Sequence, residues 1–175
     1  MGRGEIKPVK ISRWWGLGSL YALGLVFFAG VVSAEPRIAV LDFTLKDLTV
    51  TPTPKEEQLR SAALAPMLRE ALAAKGYAVV HIDATAQTHA DAGFAYLYDH
   101  PDEAAQLAKR YGAEVVAVGL LHKPSFLFAY LKLRLIDTHR VQSLGEFIVE
   151  IKGSAAKVTE RGIAQLAKQI DAKIR

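Results

Sequence analysis

The sequence predicts a single α/β domain built on a mixed five-stranded sheet, in the order β-α-β-α-β-β-β-α, with helices mainly on one face. Near-continuous apolar runs at residues 37–43, 77–82 and 114–121 are typical of strands buried on both faces. Helical patterns separate these runs, which indicates parallel strands joined by right-handed crossovers. Residues 125–151 then show period-two alternation on either side of a short polar turn, which indicates an antiparallel hairpin.

The chain begins with the layout of a secretory signal peptide. Basic residues precede an uncharged run at residues 14–32, and small residues stand before a cleavage point after Ala34. We therefore expect a leader at residues 1–34, a domain at residues 35–175 and a periplasmic location in a Gram-negative bacterium. The uncharged run is longer than that of a usual leader, so a retained membrane anchor is the alternative.

The leader accounts for most of the positive charge. The full chain carries 22 basic and 18 acidic residues, whereas residues 35–175 carry 18 and 17, a net charge of +1. A nearly neutral domain is not expected to bind nucleic acid. The chain has no cysteine, which excludes disulfides, thiol chemistry and a lipid-modified cysteine.

A loop and a helix are predicted between the first and second strands, from the positions of proline and glycine and from the spacing of leucines. Residues 44–54, with two prolines and several threonines, are predicted to form a loop. Residues 55–75 have a helical stripe of leucines, and Gly76 provides the stop before the second strand.

The second half of the domain is predicted to contain an insertion and two further helices. Residues 83–99 show no clean period and are predicted to be an insertion. Pro101 opens a short helix that Gly112 closes, and a final helix is capped by Ser154.

The turn of the hairpin sets its predicted register. A three-residue turn pairs Asp137 with Val141, which places Lys132 opposite Glu146. Such an opposite-charge pair contributes roughly 0.2–1 kcal/mol. One face of the hairpin then carries leucines toward the core, and the other carries aromatic and charged side chains.

Four segments carry a resemblance to known proteins: RIAVLDF, LAAKGYAVV, YGAEVVAVGLLHKPS and LKLRLIDTHRVQSLGE. Over residues 36–172 the chain resembles a family of uncharacterised exported bacterial proteins, a domain of unknown function. It is more distantly similar to the amino-terminal domain of the Tol–Pal translocation protein and to the periplasmic domain of the curli secretion lipoprotein. The resemblance implies a domain that binds partner proteins and is not an enzyme.

The carboxyl ends of the predicted parallel strands are where open α/β sheets bind ligands. Five polar residues lie there: Asp42, His81, Asp83, His122 and Lys123. Two histidines and two aspartates could bind a metal or a small ligand, or they could be polar caps at the strand ends. No closely spaced pair such as H-x-x-x-H supports a metal, so we expect no metal and no cofactor.

Two patterns suggest catalysis only weakly. The S-x-x-K match at residues 154–157 lacks the S-D-N and K-T-G motifs that accompany it in penicillin-recognising enzymes. A hydrolase triad could be drawn from His122, Ser125 and either Asp83 or Asp137, but no G-x-S-x-G turn presents Ser125 as a nucleophile. We therefore expect no catalytic residue and no enzyme activity.

Aromatic residues gather outside the predicted core. Three lie on the second face of the hairpin and three in the insertion: Phe126, Phe128, Tyr130, Phe94, Tyr96 and Tyr98. Aromatic residues are enriched at the centres of protein interfaces. We expect an accessory or adaptor protein that docks onto another envelope protein through these residues or a free sheet edge. The alternatives are that the insertion folds over this face and buries it, or that the strand ends bind a small ligand.

Overall fold

The computed structural model describes residues 36–49, 52–153 and 155–175, together with Met1. The strands are β1 (Arg37–Val40), β2 (Thr44–Asp47), β3 (Ala78–Val80), β4 (Val115–Lys123), β5 (Phe128–Asp137) and β6 (Gln142–Lys152). The helices are α1 (Lys55–Ala73), α2 (Ala84–Ala90), α3 (Tyr96–Asp99), α4 (Pro101–Arg110) and α5 (Ala156–Ile174). The predicted leader beyond its first residue, and the serine of the S-x-x-K match, lie outside the described residues. Within these ranges, none of the helices combines the length and apolar character that a membrane span requires.

The strands form one mixed sheet in the order β3-β1-β4-β5-β6, and β2 also pairs with β4. β1 runs parallel to β3 and β4, whereas β5 and β6 continue the sheet in antiparallel pairs. This confirms the predicted α/β fold with a mixed sheet. The predicted loop at residues 44–54 is wrong at its start, because β2 forms there and adds a sixth strand.

β1 and β2 lie end to end along the same side of β4. Val40 pairs with Ala117 and Thr44 with Leu120, so the β1–β2 side has one residue more than β4 over this interval. One extra residue of this kind is a β-bulge, which bends the strand. Phe43 lies within this interval and is buried. Its ring occupies the space that a Cβ at Gly119 would need.

The two long helices pack on one face of the sheet. α1 contributes Leu64, Leu68 and Leu72, α5 contributes Ile163, Leu166 and Ile170, and β5 contributes Leu131, Leu133 and Leu135 to a single buried cluster. Each helix places these residues on one stripe, which is the pattern of a helix that covers a core.

Three short helices lie on the opposite face. α4 buries Ala104, Leu107 and Ala108 in a second cluster that includes Val116 and Ile136 of the sheet. The insertion at residues 83–99 is not irregular throughout, because it contains α2 and α3. Since α1 and α5 have 19 residues each and α4 has 10, most of the helical cover lies on the first face, and the second is only partly covered.

The hairpin has the expected faces but not the expected register. Glu146 lies opposite Arg134 instead of Lys132, and Asp137 pairs with Gln142 across a four-residue turn. An irregularity in the pairing beyond the turn adds to the shift, which reaches two residues in the body of the hairpin. Because side chains alternate with a period of two, a shift of two keeps the same leucines on the core face.

Replacing Gly119 with alanine should destabilise the domain, because the new Cβ would lie 2.5 Å from Cδ1 of the buried Phe43 ring. Overpacking of a core typically costs about 1–3 kcal/mol. The matched control is Gly145→Ala, whose Cβ would lie 3.4 Å from Cζ of Phe147. Urea denaturation of both variants measures the difference. Equal free energies of unfolding for the two variants would contradict the close packing of Phe43 on Gly119.

Candidate functional site

On the second face of the sheet, Tyr98 in α3 reaches over β5 to Glu146 of β6. Its hydroxyl donates a hydrogen bond to Oε1 of Glu146 at 2.8 Å, and its carbonyl accepts one from Nη1 of Arg134 at 2.7 Å. The guanidinium of Arg134 also lies 4.4 Å from the centre of the tyrosine ring. Burial, followed by the hydrogen bond and charge of Glu146, raises the pKa of Tyr98 above its ordinary value. These contacts mark the end of the cover.

Beyond Tyr98, no helix of the described residues covers this face of the sheet. We call this region the open sheet face and define it by five side chains: His122 of β4, Phe128, Tyr130 and Lys132 of β5, and Ile148 of β6. The strand register places Lys132 opposite Ile148 and Tyr130 opposite His122, so these side chains form adjacent rows. Ile148 is 53% exposed, although it is a large apolar residue in the middle of a strand.

The aromatic rings of the open sheet face contact one another edge to face. The ring centres of Phe128 and Tyr130 lie 5.6 Å apart, and those of His122 and Tyr130 lie 6.4 Å apart. Beside them is a depression of about 430 Å³ that is lined by His122, Pro124, Tyr130, Lys132 and Ile148. Edge-to-face contacts of this kind are a favourable arrangement of aromatic rings.

His122 contributes an uncharged side chain to this surface. Burial and the positive charges of Lys132 and Lys46 hold the pKa of His122 below its ordinary value. The lowered pKa favours the neutral form of the imidazole at pH 7. The open sheet face is therefore mainly apolar and aromatic, and its positive charge comes from Lys132 and the neighbouring Lys46.

The open sheet face adjoins a free edge. β6 has 11 residues and pairs with β5 on one side, and no strand among the described residues pairs with its other side. An edge strand presents a row of backbone N–H and C=O groups that another strand can bind. Glu146, Ile148 and Glu150 alternate along this edge on the same side of the sheet as the open face.

Lys123, the last residue of β4, holds a buried ion cluster together. Its ammonium lies 3.0 Å from Oε1 of Glu57 in α1 and 3.5 Å from Oδ2 of Asp47 in β2. Glu57 also pairs with Arg60 at 3.4 Å. Arg60 in turn donates a hydrogen bond to the carbonyl of Gly153 at 3.2 Å. The cluster therefore ties β2, β4 and α1 to the segment that follows β6.

The five residues of the predicted ligand site lie in separate environments. Asp42 pairs with Arg69 at 2.9 Å, and His81 is exposed. Asp83 caps α2, where it accepts a hydrogen bond from the N–H of Ala86 at 2.8 Å. His122 belongs to the open sheet face and Lys123 to the buried ion cluster.

The separation has a simple geometric cause. β4 continues to Lys123, well past the point where Ala117 pairs with the last residue of β1. The carboxyl ends of β1 and β4 therefore lie at different levels of the sheet. Among the described residues, no group of three or more metal-ligating side chains is placed to hold an ion.

The six predicted interface aromatics also divide. Phe128 and Tyr130 are part of the open sheet face. Phe126 is 69% exposed and lies in the bend that precedes β5. In the insertion, Phe94 is exposed and Tyr96 stacks on His100, with ring centres 4.1 Å apart. Tyr98 is not available to a partner, because only 6% of it is exposed and its hydroxyl is bound to Glu146.

Sequence reasoning missed Ile148 and the edge that carries it. The signal was present, since Ile148 stands between Glu146 and Glu150 at alternate positions of the second hairpin strand. An apolar residue between two acids on the face away from the core indicates an exposed apolar site.

Residues 36–170 match the family described as Protein of unknown function (DUF2380). The chain belongs to this family. The match confirms the expected membership in a family whose function is not known. A search of curated proteins found no match.

Three solved structures are similar to the chain at low sequence identity. A PelC dodecamer from Paraburkholderia phytofirmans is 15% identical, with 79% of this chain and 87% of that chain covered and a TM-score of 0.48. TolB from Acinetobacter baumannii is 13% identical, with 80% and 28% covered and a TM-score of 0.47. Lipoprotein GNA1162 from Neisseria meningitidis is 19% identical, with 78% and 97% covered and a TM-score of 0.47. The predicted similarity to the curli secretion lipoprotein stays a prediction.

The ion cluster predicts how stability depends on pH. Burial alone would raise the pKa of Asp47, but hydrogen bonds from Thr49 and the charge of Lys123 outweigh burial and hold that pKa below its ordinary value. The folded chain therefore binds fewer protons at this site than the unfolded chain. The stabilisation is complete above a pH of about 4, near the unfolded pKa, and is lost as the pH falls through the folded pKa.

Asp47→Asn should lower the free energy of unfolding at pH 7 by about 1–3 kcal/mol, because it weakens a buried charged contact to Lys123. It should also flatten the decline in stability below about pH 4. Urea denaturation between pH 7 and pH 3 measures both effects. Asp42→Asn is the control, since its ion pair is partly exposed and should contribute less. If the free energy of unfolding of Asp47→Asn falls with pH in parallel with that of the parent chain, the predicted contribution of Asp47 is wrong.

Proposed function

We propose that the chain is a non-enzymatic accessory domain, exported to the cell envelope, that binds an extended segment of another envelope protein. The observation that carries this proposal is the open sheet face beside the free edge of β6. Export is supported by the leader-like sequence of residues 1–34.

Strand addition is the binding mode that fits this edge. An incoming strand forms backbone hydrogen bonds along β6 and extends the sheet by one strand. Its side chains on one side lie next to the open sheet face, where Ile148 and Tyr130 offer apolar and aromatic contact. Backbone pairing supplies affinity and the side-chain contacts supply specificity.

The charges on β6 indicate the composition of the partner. Glu146, Ile148 and Glu150 point to the same side at alternate positions. Side chains directly opposite each other on adjacent strands interact favourably when their charges are opposite or when both are apolar, and unfavourably when their charges are alike. Glu146 already binds the Tyr98 hydroxyl and lies 3.9 Å from Arg134, so the charge preference is strongest at Glu150. The fitting segment therefore alternates, with an apolar side chain opposite Ile148 and a basic side chain two residues away, opposite Glu150.

A photo-crosslinking amino acid at position 148, introduced into the full chain in cells, should capture one envelope protein reproducibly. Position 168 is the control, because Lys168 is exposed on α5, on the opposite side of the sheet. The captured segment, identified by mass spectrometry, should show the alternating basic and apolar pattern.

Substitutions at the same position test the charge preference. In a pull-down with the captured protein, Ile148→Lys should reduce recovery most, Ile148→Glu less and Ile148→Val little, because the lysine adds repulsion to the loss of apolar contact. Circular dichroism confirms that each variant is folded. Capture from position 168 alone, or equal recovery with Ile148→Lys and Ile148→Val, would contradict the proposal.

A further inference from the structure

The outer face of α1 is unusually apolar for a surface helix. After its first turn the exposed positions are Leu59, Ala62, Ala63, Pro66, Glu70 and Ala73, of which one is charged. Leu59 is 61% exposed. The solvent-facing side of a surface helix is normally polar or charged, so this face has the composition of a contact surface.

A groove runs between α1 and α5 beside this face. It consists of two adjoining depressions of about 310 and 340 Å³, and both include Met67 and Glu160. Small side chains from the two helices line much of it: Ala63, Ala71, Ala156 and Ala164. Small residues along a groove let the ridges of a third helix approach the two helix backbones closely.

The rim of the groove is acidic. Glu56, Glu70 and Glu160 line the two depressions. None of the three makes an ion pair within the described ranges. Arg60 also lines one of the depressions, but its guanidinium already binds Glu57, Thr159 and Gly153. The unneutralised charge at the rim is therefore negative.

We propose that the groove between α1 and α5 binds an amphipathic helix of a partner protein, with lysine or arginine residues on both sides of its apolar stripe. Glu56 and Glu70 are 14 positions apart, which corresponds to roughly 21 Å along α1. A partner helix of about four turns spans this distance. The apolar stripe fills the groove, and the basic residues pair with the three glutamates.

The same charges argue against the other occupants of an apolar helix face. A second copy of the chain would bring the three glutamates against their own equivalents, and like charges in an interface are unfavourable. An anionic membrane surface attracts basic segments, not carboxylates. The groove lies on the opposite side of the sheet from the open sheet face, so its occupant is independent of the strand proposed for β6.

The test uses two labelled helical peptides of 18 residues and the full chain. Both have the same stripe of leucine and alanine, which lysines flank in one peptide and glutamates in the other. Fluorescence anisotropy should show binding of the lysine peptide, and the double variant E70K/E160K should weaken it at least tenfold. The same double variant should bind the glutamate peptide more tightly than the parent chain does.

Two exposed alanines separate a steric effect from a charge effect. Ala63→Gln places a larger, uncharged side chain in the groove and should weaken binding of the lysine peptide about tenfold. Ala172→Gln changes an exposed alanine of α5 that does not line the groove and should leave the affinity unchanged. Ile148→Lys should also leave it unchanged, which distinguishes a failure here from a failure of the strand-addition proposal.

Three results would overturn the groove proposal. One is equal affinity of the parent chain for the lysine and glutamate peptides. Another is equal weakening by Ala63→Gln and Ala172→Gln. The third is occupation by something else: a concentration-dependent dimer that Leu59→Glu abolishes, or binding to phosphatidylglycerol vesicles that the same substitution abolishes.

Discussion

β4 is buried on both faces along almost its whole length, and only His122 among its nine residues is partly exposed. A strand in this position needs a layer of helices on each side. The long helices α1 and α5 form one layer, and the short helices α3 and α4 form the other. The second layer is too small to reach the end of β4, and His122 is therefore partly exposed. The open sheet face is thus a consequence of unequal helical layers.

The end of β4 is also where the strongest charges are buried. Lys123 follows His122 with its side chain on the opposite face, where Asp47 and Glu57 surround its ammonium. A lysine left without these carboxylates would be strongly unfavourable in a buried position. The ion cluster therefore links β2 and α1 to the strand that carries His122 of the open sheet face.

Much of the fold could be predicted from the sequence because its long elements have strong periodicity. Leu64, Leu68 and Leu72 identify α1, and the alternating leucines identify β5. β2 was missed because a four-residue, half-buried strand within a segment rich in threonine and proline has no clear pattern. The register was wrong by two residues because a period of two does not distinguish one register from the next of the same parity.

The site was harder to predict than the fold because it depends on where elements end. The residues at the carboxyl ends of the strands were expected to converge, but β4 extends past β1 and separates His122 from Asp42. The aromatic residues were assigned to one surface, whereas the single turn of α3 buries Tyr98 against Arg134. The length of a short helix such as α3 is not encoded in hydrophobic periodicity, so its reach is visible only in three dimensions.

The two surfaces proposed for binding have different chemistry and lie on opposite sides of one sheet. The β6 edge offers backbone hydrogen bonds to an extended segment, and the groove between α1 and α5 offers an apolar channel with an acidic rim. A domain with both can contact two segments at once without either blocking the other. This arrangement suits an accessory protein that holds two parts of an assembly together.

The central claim is that β6 is a free edge, and amide hydrogen exchange followed residue by residue in the full chain tests it most directly. Amides of β6 that bind β5 should exchange slowly, and those that point outward should exchange fast, so protection should alternate from Gly145 to Lys152, beyond the irregularity near the turn. Slow exchange at every residue of β6 in dilute protein would contradict the claim, because it would mean that the outer edge is already paired.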